Sequence, residues 1–292
     1  MPHAHHTPFM SFVISAALIL SMLVYFRGCM RSRKLDFDRV AGWRAGSFAL
    51  GLLFIWIAMA STLAAYDHEL LTVHMVQHLL LMTIAPPLIL LGAPLKPMLY
   101  GLPRRLLKML GRPFRSGLIQ QLGQVLTHPA VCWLGAVGTL VMWHIPALFM
   151  LGLRSGMWHG IEHASFLVTG LLFWWPVVQS GSSKWPGWSI LLYLFLATLP
   201  CDILSGFLVF CDRVVYPVYF FSSHPFGLSA LDDQQCAGAL MWTLVTVVYL
   251  IAGTIVTARL LVPYGPQDYS MLSIDLHTIA TLNTDGQSME AL

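Results

Sequence analysis

The sequence predicts an all-α, polytopic membrane protein with seven transmembrane helices. Of its 292 residues, 57% are hydrophobic and only 10% charged, too apolar and charge-poor for an ordinary soluble domain. Seven runs are long enough to cross a bilayer, which takes about 20 helical residues. The runs are continuous rather than alternating, which excludes barrel strands and leaves helices as the way to satisfy the backbone in lipid.

The first run, 9–26, lacks a basic leader and an A-x-A cleavage site, and its positive charges follow it. It therefore reads as a retained helix rather than a signal peptide. The second, 41–66, is apolar apart from Arg44 near its start. The third, 69–92, carries "HMVQH" at 74–78 and then Pro86 and Pro87, which are expected to kink or end it because neither donates a backbone hydrogen bond. The fourth, 129–153, starts beside His128, which caps it, and the fifth, 156–178, follows after a very short turn. The sixth, 188–211, contains "LPCDILSG" with a single carboxylate, Asp202, and the seventh covers 234–262. Residues 1–262 are thus one seven-helix transmembrane domain. The polar segment 263–292 has no strong hydrophobic period and is expected to be a loosely ordered cytoplasmic tail.

The charge distribution fixes the expected orientation. Fourteen of the sixteen Lys and Arg residues fall on one side, around the first connection, in 93–127, at Lys184 and at Arg259, against Arg154 and Arg213 on the other. The positive-inside rule then predicts N-out, C-in. Within the long internal connection, "LPRRLLKML" suits a short basic helix on anionic headgroups, so the lipid bilayer is the one partner composition points to directly. Nothing in the sequence points to nucleic acid, and homo-oligomerisation is left open.

On this topology, His74 and His78 lie roughly 9 and 15 Å beyond His68, at a helical rise of about 1.5 Å per residue. By the same rise, His144 sits about 13 Å inside the outer end of helix four, and His159 and His163 about 5 and 10 Å along helix five. Five histidines from three helices therefore share the outer half of the membrane. Each i,i+4 pair projects from one helix face. A lone intramembrane histidine commonly just hydrogen-bonds a neighbouring helix. Two pairs and a fifth residue at one depth favour a metal or cofactor site, provided that helix three touches helices four and five. His128, His224 and His277 read as structural or solvated, and His3, His5 and His6 as a polar terminus able at most to capture a metal loosely.

Imidazole suits zinc, copper, iron and nickel, and nearby sulfur shifts the balance towards Cu(I). Met75, Met157, Met241 and Cys201 are placed to supply it, although methionine is also common membrane filler. Asp202 is expected to orient a ligand histidine or to pair with Arg213, and Glu162 to lie near the surface or to orient a histidine. A Cys211–Cys236 disulfide is compatible with their shared outer side but not established by their spacing.

"HMVQHLLLMTIAPPLILLGAP", "WHIPALFMLGLRSGMWHGIEHASFLVTGLLFWWP" and "DDQQCAGALMW" together resemble the CtaG family of caa3-type cytochrome c oxidase assembly proteins, of the seven-helix membrane type. The resemblance runs in order through helices three to seven. It implies a non-enzymatic protein of the bacterial inner membrane, needed to make active haem–copper oxidase by supplying copper to the oxidase subunit that carries the copper centre. It also implies that His74, His78, His144, His159 and His163, with Asp233 and Gln234 of the last block, are the positions that matter. A metallochaperone with its site towards the periplasm is the resulting expectation. Three other readings compete. HGIEH formally matches the H-x-x-E-H zinc-protease pattern, with Glu162 as base. Histidines on two membrane helices are also able to ligate haem in an electron carrier. A copper permease would need a ligand ladder through the inner half, where the sequence offers none.

Overall fold

The computed structural model describes residues 8–32, 41–103, 105, 106, 109, 117–179, 186–222 and 227–261. Among these residues there is helix and no strand. The helices are α1 (Pro8–Ser32), α2 (Ala41–Ala60), α3 (Leu71–Leu91), α4 (Leu95–Gly101), α5 (Gly117–Leu126), α6 (Pro129–His144), α7 (Pro146–Arg154), α8 (Gly156–Val178), α9 (Gly187–Phe210) and α10 (Ala230–Leu261). Six are long and apolar enough to cross a membrane, or seven if α5 and α6, bent by 64° to each other, form one span. The protein is thus an all-α polytopic membrane protein. The expected tail 263–292 and the N-terminal histidines lie outside the described residues, as do His224 and His277.

α3 is the central element. Two-thirds of its apolar window (67%) is buried, against 6% for α1, whose large side chains face outward. The first half of α3 packs on α10 and its second half on α2 and α8, while α9 lies along α10 and α4 along α1. Helix three therefore packs directly on α8, which carries His159 and His163, and reaches His144 of α6 through the His78 ring.

Two of the expected spans are interrupted. The second does not run unbroken to residue 66: α2 ends at Ala60, and Ser61 caps a short 3-10 turn, Thr62–Tyr66, by accepting from the Leu63 N–H. The fourth is not one helix over 129–153. It breaks at Ile145, which is extended at φ −66° and ψ 124°, the conformation that a following proline imposes. Pro146 then opens α7, where its missing N–H costs nothing.

Pro86 and Pro87, expected to kink or end the third helix, do neither outright: α3 continues through a π-turn, Leu80–Ile84, into Ala85–Leu91. The Met82 carbonyl is the critical group. Its α-helical donor would come from residue 86 and its π-helical donor from residue 87, and both are prolines. The Trp174 indole N–H supplies the bond instead, at 3.1 Å from α8. Gly170 makes that approach possible, since a Cβ there would stand 2.8 Å from the Met82 carbonyl oxygen and 2.9 Å from Pro86 Cγ. Two predictions follow for the α3–α8 crossing, each checked by thermal unfolding in detergent. Trp174→Phe keeps an aromatic ring, though a smaller one, but leaves the partly buried Met82 carbonyl without a donor, and is expected to cost about 1–3 kcal/mol. Gly170→Ala forces the two backbones apart and is expected to cost about the same, 1–3 kcal/mol.

Candidate functional site

The α2–α3, α7–α8 and α9–α10 connections share one end of the bundle, and inside that end lies a cluster of polar side chains. Asp67 follows the 3-10 turn, His74 and His78 face inward from α3, His144 closes α6, and His159, Glu162 and His163 project from the first turns of α8. All seven are at most 6% exposed. Every histidine predicted from the sequence is in this cluster.

The i,i+4 pairs bring their rings together, edge to face for His74 and His78 with centroids 4.4 Å apart, and tilted for His159 and His163 at 4.1 Å. The pairs meet across the α3–α8 contact, His74 and His159 at 5.6 Å and His78 and His163 at 5.9 Å. His144 joins from α6, 6.2 Å from His78. Two carboxylates thread the rings. Glu162 Oε1 lies 3.3 Å from His78 Nε2 and 3.5 Å from His74 Nε2, while Asp67 Oδ2 lies 3.5 Å from His159 Nε2. Two overlapping triads have ligand atoms within 4.8 Å of one another, Asp67/His74/His159 and His74/His78/Glu162, with His74 common to both. Each is a donor set of imidazole and carboxylate, which fits a borderline transition-metal cation.

The polar atoms are incompletely satisfied. Neither ring nitrogen of His74 or His78 has a hydrogen-bond partner, nor do His144 Nε2, His163 Nε2 or either oxygen of Glu162. His144 Nδ1 donates to the Leu140 carbonyl at 2.7 Å, so the proton is on Nδ1 and Nε2 keeps its lone pair. Space for Glu162 is cut from the facing backbone: a Cβ on Gly152 of α7 would lie 2.6 Å from Glu162 Oε2. The break at Ile145 thus has a local use, bringing α7 and its glycine against the carboxylate.

The connection between α9 and α10 closes the cluster as a strap. Tyr216 donates to the His144 carbonyl at 3.0 Å and Tyr219 to the Asp67 carbonyl at 2.9 Å. Phe149 fills the space between strap and site, 4.0 Å from the Tyr216 ring and 4.8 Å from His74. Burial first, and the neighbouring carboxylates second, push both phenols above their usual pKa, so both remain donors at physiological pH.

The remaining predicted residues are placed as follows. Asp233 caps α3 from another helix, accepting from the Leu71 and Thr72 N–H groups at 2.6 and 3.1 Å. Gln234 accepts from the Val215 N–H at 2.7 Å and donates to the Arg213 carbonyl at 3.1 Å, which holds the strap. Glu162 is wholly buried and lies against histidines, the second of its two expected positions. Met75, Met241 and Cys201 are buried beside His78 and His144, whereas Met157 is exposed. Asp202 is only partly buried on α9 and reaches neither Arg213 nor a site histidine. Cys211 and Cys236 are both free, so they form no bridge. Asp67, with His68 at 3.6 Å, is the site residue that sequence reasoning missed. Its only signal was an acidic residue directly beside the end of an apolar run, which reads equally well as a solvated loop.

Uncharacterized proteins of Mycobacterium bovis and Mycobacterium tuberculosis are each 25% identical over 219 residues, covering 69% of this chain and 32% of their own length. An uncharacterized protein of Mycobacterium leprae is 24% identical over 292 residues, covering 94% of this chain and 42% of its own. The chain therefore spans about a third to two-fifths of these curated relatives. No solved structure matches it. The family model of the cytochrome c oxidase caa3 assembly factor (Caa3_CtaG) matches residues 23–262, and with most of the sequence so covered the chain belongs to that family.

Proposed function

We propose that this assembly factor is a membrane metallochaperone, which holds copper on the buried histidines and passes it to the oxidase subunit carrying the copper centre. One observation carries the reading. Glu162 and five histidines share a buried cluster, while no Lys or Arg is buried among the described residues. A wholly buried carboxylate such as Glu162 is costly inside a membrane protein without a cationic partner, and a metal ion bound between Glu162 and the imidazoles supplies that charge. Copper is the cargo here, so the task is ligand exchange and needs neither nucleophile nor general base.

The described basic residues Arg27, Arg31, Arg44, Lys96, Arg105 and Arg259 belong to the end opposite the cluster, and Arg154 and Arg213 to its own. By the positive-inside rule this supports an N-out, C-in chain in a bacterial inner membrane, with the ion held towards the periplasm. Two alternatives are less well supported. A hydrolytic H-x-x-E-H site needs Glu162 poised over the His159/His163 pair, but Glu162 lies against the α3 histidines. A haem needs far more room than the cavity of about 30 Å³ beside His78 and His144.

The decisive experiment is elemental analysis of the purified chain beside a His74→Ala/His78→Ala variant. The variant is expected to insert normally, lose most of its bound metal and leave the oxidase short of copper. A fully copper-loaded oxidase in cells carrying it would defeat the proposal. Gly152→Ala is expected to push the Glu162 carboxylate off the two α3 histidines and weaken ion binding at least tenfold, about 1.4 kcal/mol, with little change in unfolding temperature, because only the flexible end of Glu162 must move. Metal titration with thermal unfolding on the same preparation checks both halves of this expectation.

A further inference from the structure

Next to the carboxylate–histidine cluster lies a second space of different chemistry. It is enclosed between α3, α6, α8, α9 and α10, and its volume is about 30 Å³. Four sulfur-bearing side chains contribute to its wall, Met75 and Met82 from α3, Cys201 from α9 and Met241 from α10. Met75, Cys201 and Met241 are each at most 4% exposed. Two imidazoles, His78 and His144, and the hydroxyl-bearing Thr83 and Tyr249 also line it, and the rest is aliphatic and aromatic.

Methionine usually closes irregular gaps because its side chain adapts. Here thioethers from two helices surround a space that stays open. The His144 ring lines that space with Nδ1 committed to the Leu140 carbonyl and Nε2 bearing a lone pair with no hydrogen-bond partner. A space of this size holds one or two waters, each needing roughly 10–15 Å³ and two to four polar partners. Thioethers and a thiol are poor partners for water. They are good ligands for soft cations, which thioether and thiolate sites select over harder metals. The wall also contains no carboxylate, so a monovalent ion is far less costly here than a divalent one.

We propose that this cavity is a second cation site, specific for a soft monovalent ion such as Cu(I), with His144 Nε2 and the sulfur atoms of Met75, Met241 and Cys201 as ligands. His78 borders both the cavity and Glu162 and is the wall between the two sites. The protein then offers a hard station of imidazole and carboxylate next to a soft one of imidazole and sulfur. The inference adds to the function proposed above and rests on it only for the soft ion being copper.

The test uses Ag(I), a redox-inert soft ion, and Co(II), a borderline one, on the purified full-length chain in detergent. Wild-type protein is expected to bind Ag(I) with sulfur neighbours in X-ray absorption. Met75→Leu/Met241→Leu keeps side-chain volume and removes only sulfur. It is expected to bind Ag(I) at least tenfold more weakly, with Co(II) uptake unchanged. Unchanged Ag(I) affinity in the variant, or a wild-type spectrum with nitrogen and oxygen neighbours alone, would overturn the proposal. Should the double variant not purify, Met241→Leu alone is held to the same tenfold loss. A cell that loses Ag(I) binding through the variant yet loads its oxidase fully leaves the sulfur site standing and removes the delivery role instead.

Discussion

The constraint on which this structure depends is the absence of solvent for a polar group placed inside a membrane protein. Every such group must be answered by another part of the chain, and at most positions it is. Asp233 receives the first free N–H groups of α3, and Gln234 both accepts from the Val215 N–H and donates to the Arg213 carbonyl. Against that background the cluster around Glu162 stands out. Its imidazoles and carboxylate approach one another at 3.3–3.5 Å without settling into hydrogen bonds. Buried atoms without a hydrogen-bond partner also occur elsewhere, among them Gln77 Oε1 and Trp133 Nε1, but they are concentrated in this cluster.

Proline is the second organising element, through the carbonyls it strands. Pro86 and Pro87 deprive Met82 of its donor and Trp174 replaces it. Pro146 and the extended Ile145 end α6 at His144, whose carbonyl is taken by Tyr216. In both places a local loss of backbone bonding is converted into a bond between distant segments, at a sequence separation of 92 residues in one case and 72 in the other. These breaks therefore tie α3, α6, α8 and the strap into one frame around the histidines, where an unbroken helix would have needed no partner.

Much of this was legible in the sequence, for physical reasons that differ by residue. The helical repeat puts His74 beside His78 and His159 beside His163 whatever the tertiary structure, so the pairs were secure from spacing alone. Their convergence with His144 rested on counting depth along antiparallel helices, and the rings do meet. The break at "HIP" was equally readable, because a residue before proline avoids helical geometry, but an apolar run masked it. Asp67 was not readable: nothing local separates a solvated acid at a helix end from one folded beneath a strap. Asp233 and Gln234 were singled out only through the resemblance of "DDQQCAGALMW", and only tertiary structure reveals that one caps α3 and the other holds the strap. The Cys211–Cys236 pairing rested on a shared side of the membrane, too weak a constraint to bring two thiols together.

The strap has a consequence of its own. Tyr216 and Tyr219 grip main-chain oxygens of His144 and Asp67 rather than their side chains. The latch is therefore built on backbone oxygens, whose positions the helices fix. A change of side chain at residue 67 or 144 leaves both acceptors in place, and the hold of the strap on this end of the bundle depends on the two phenols instead.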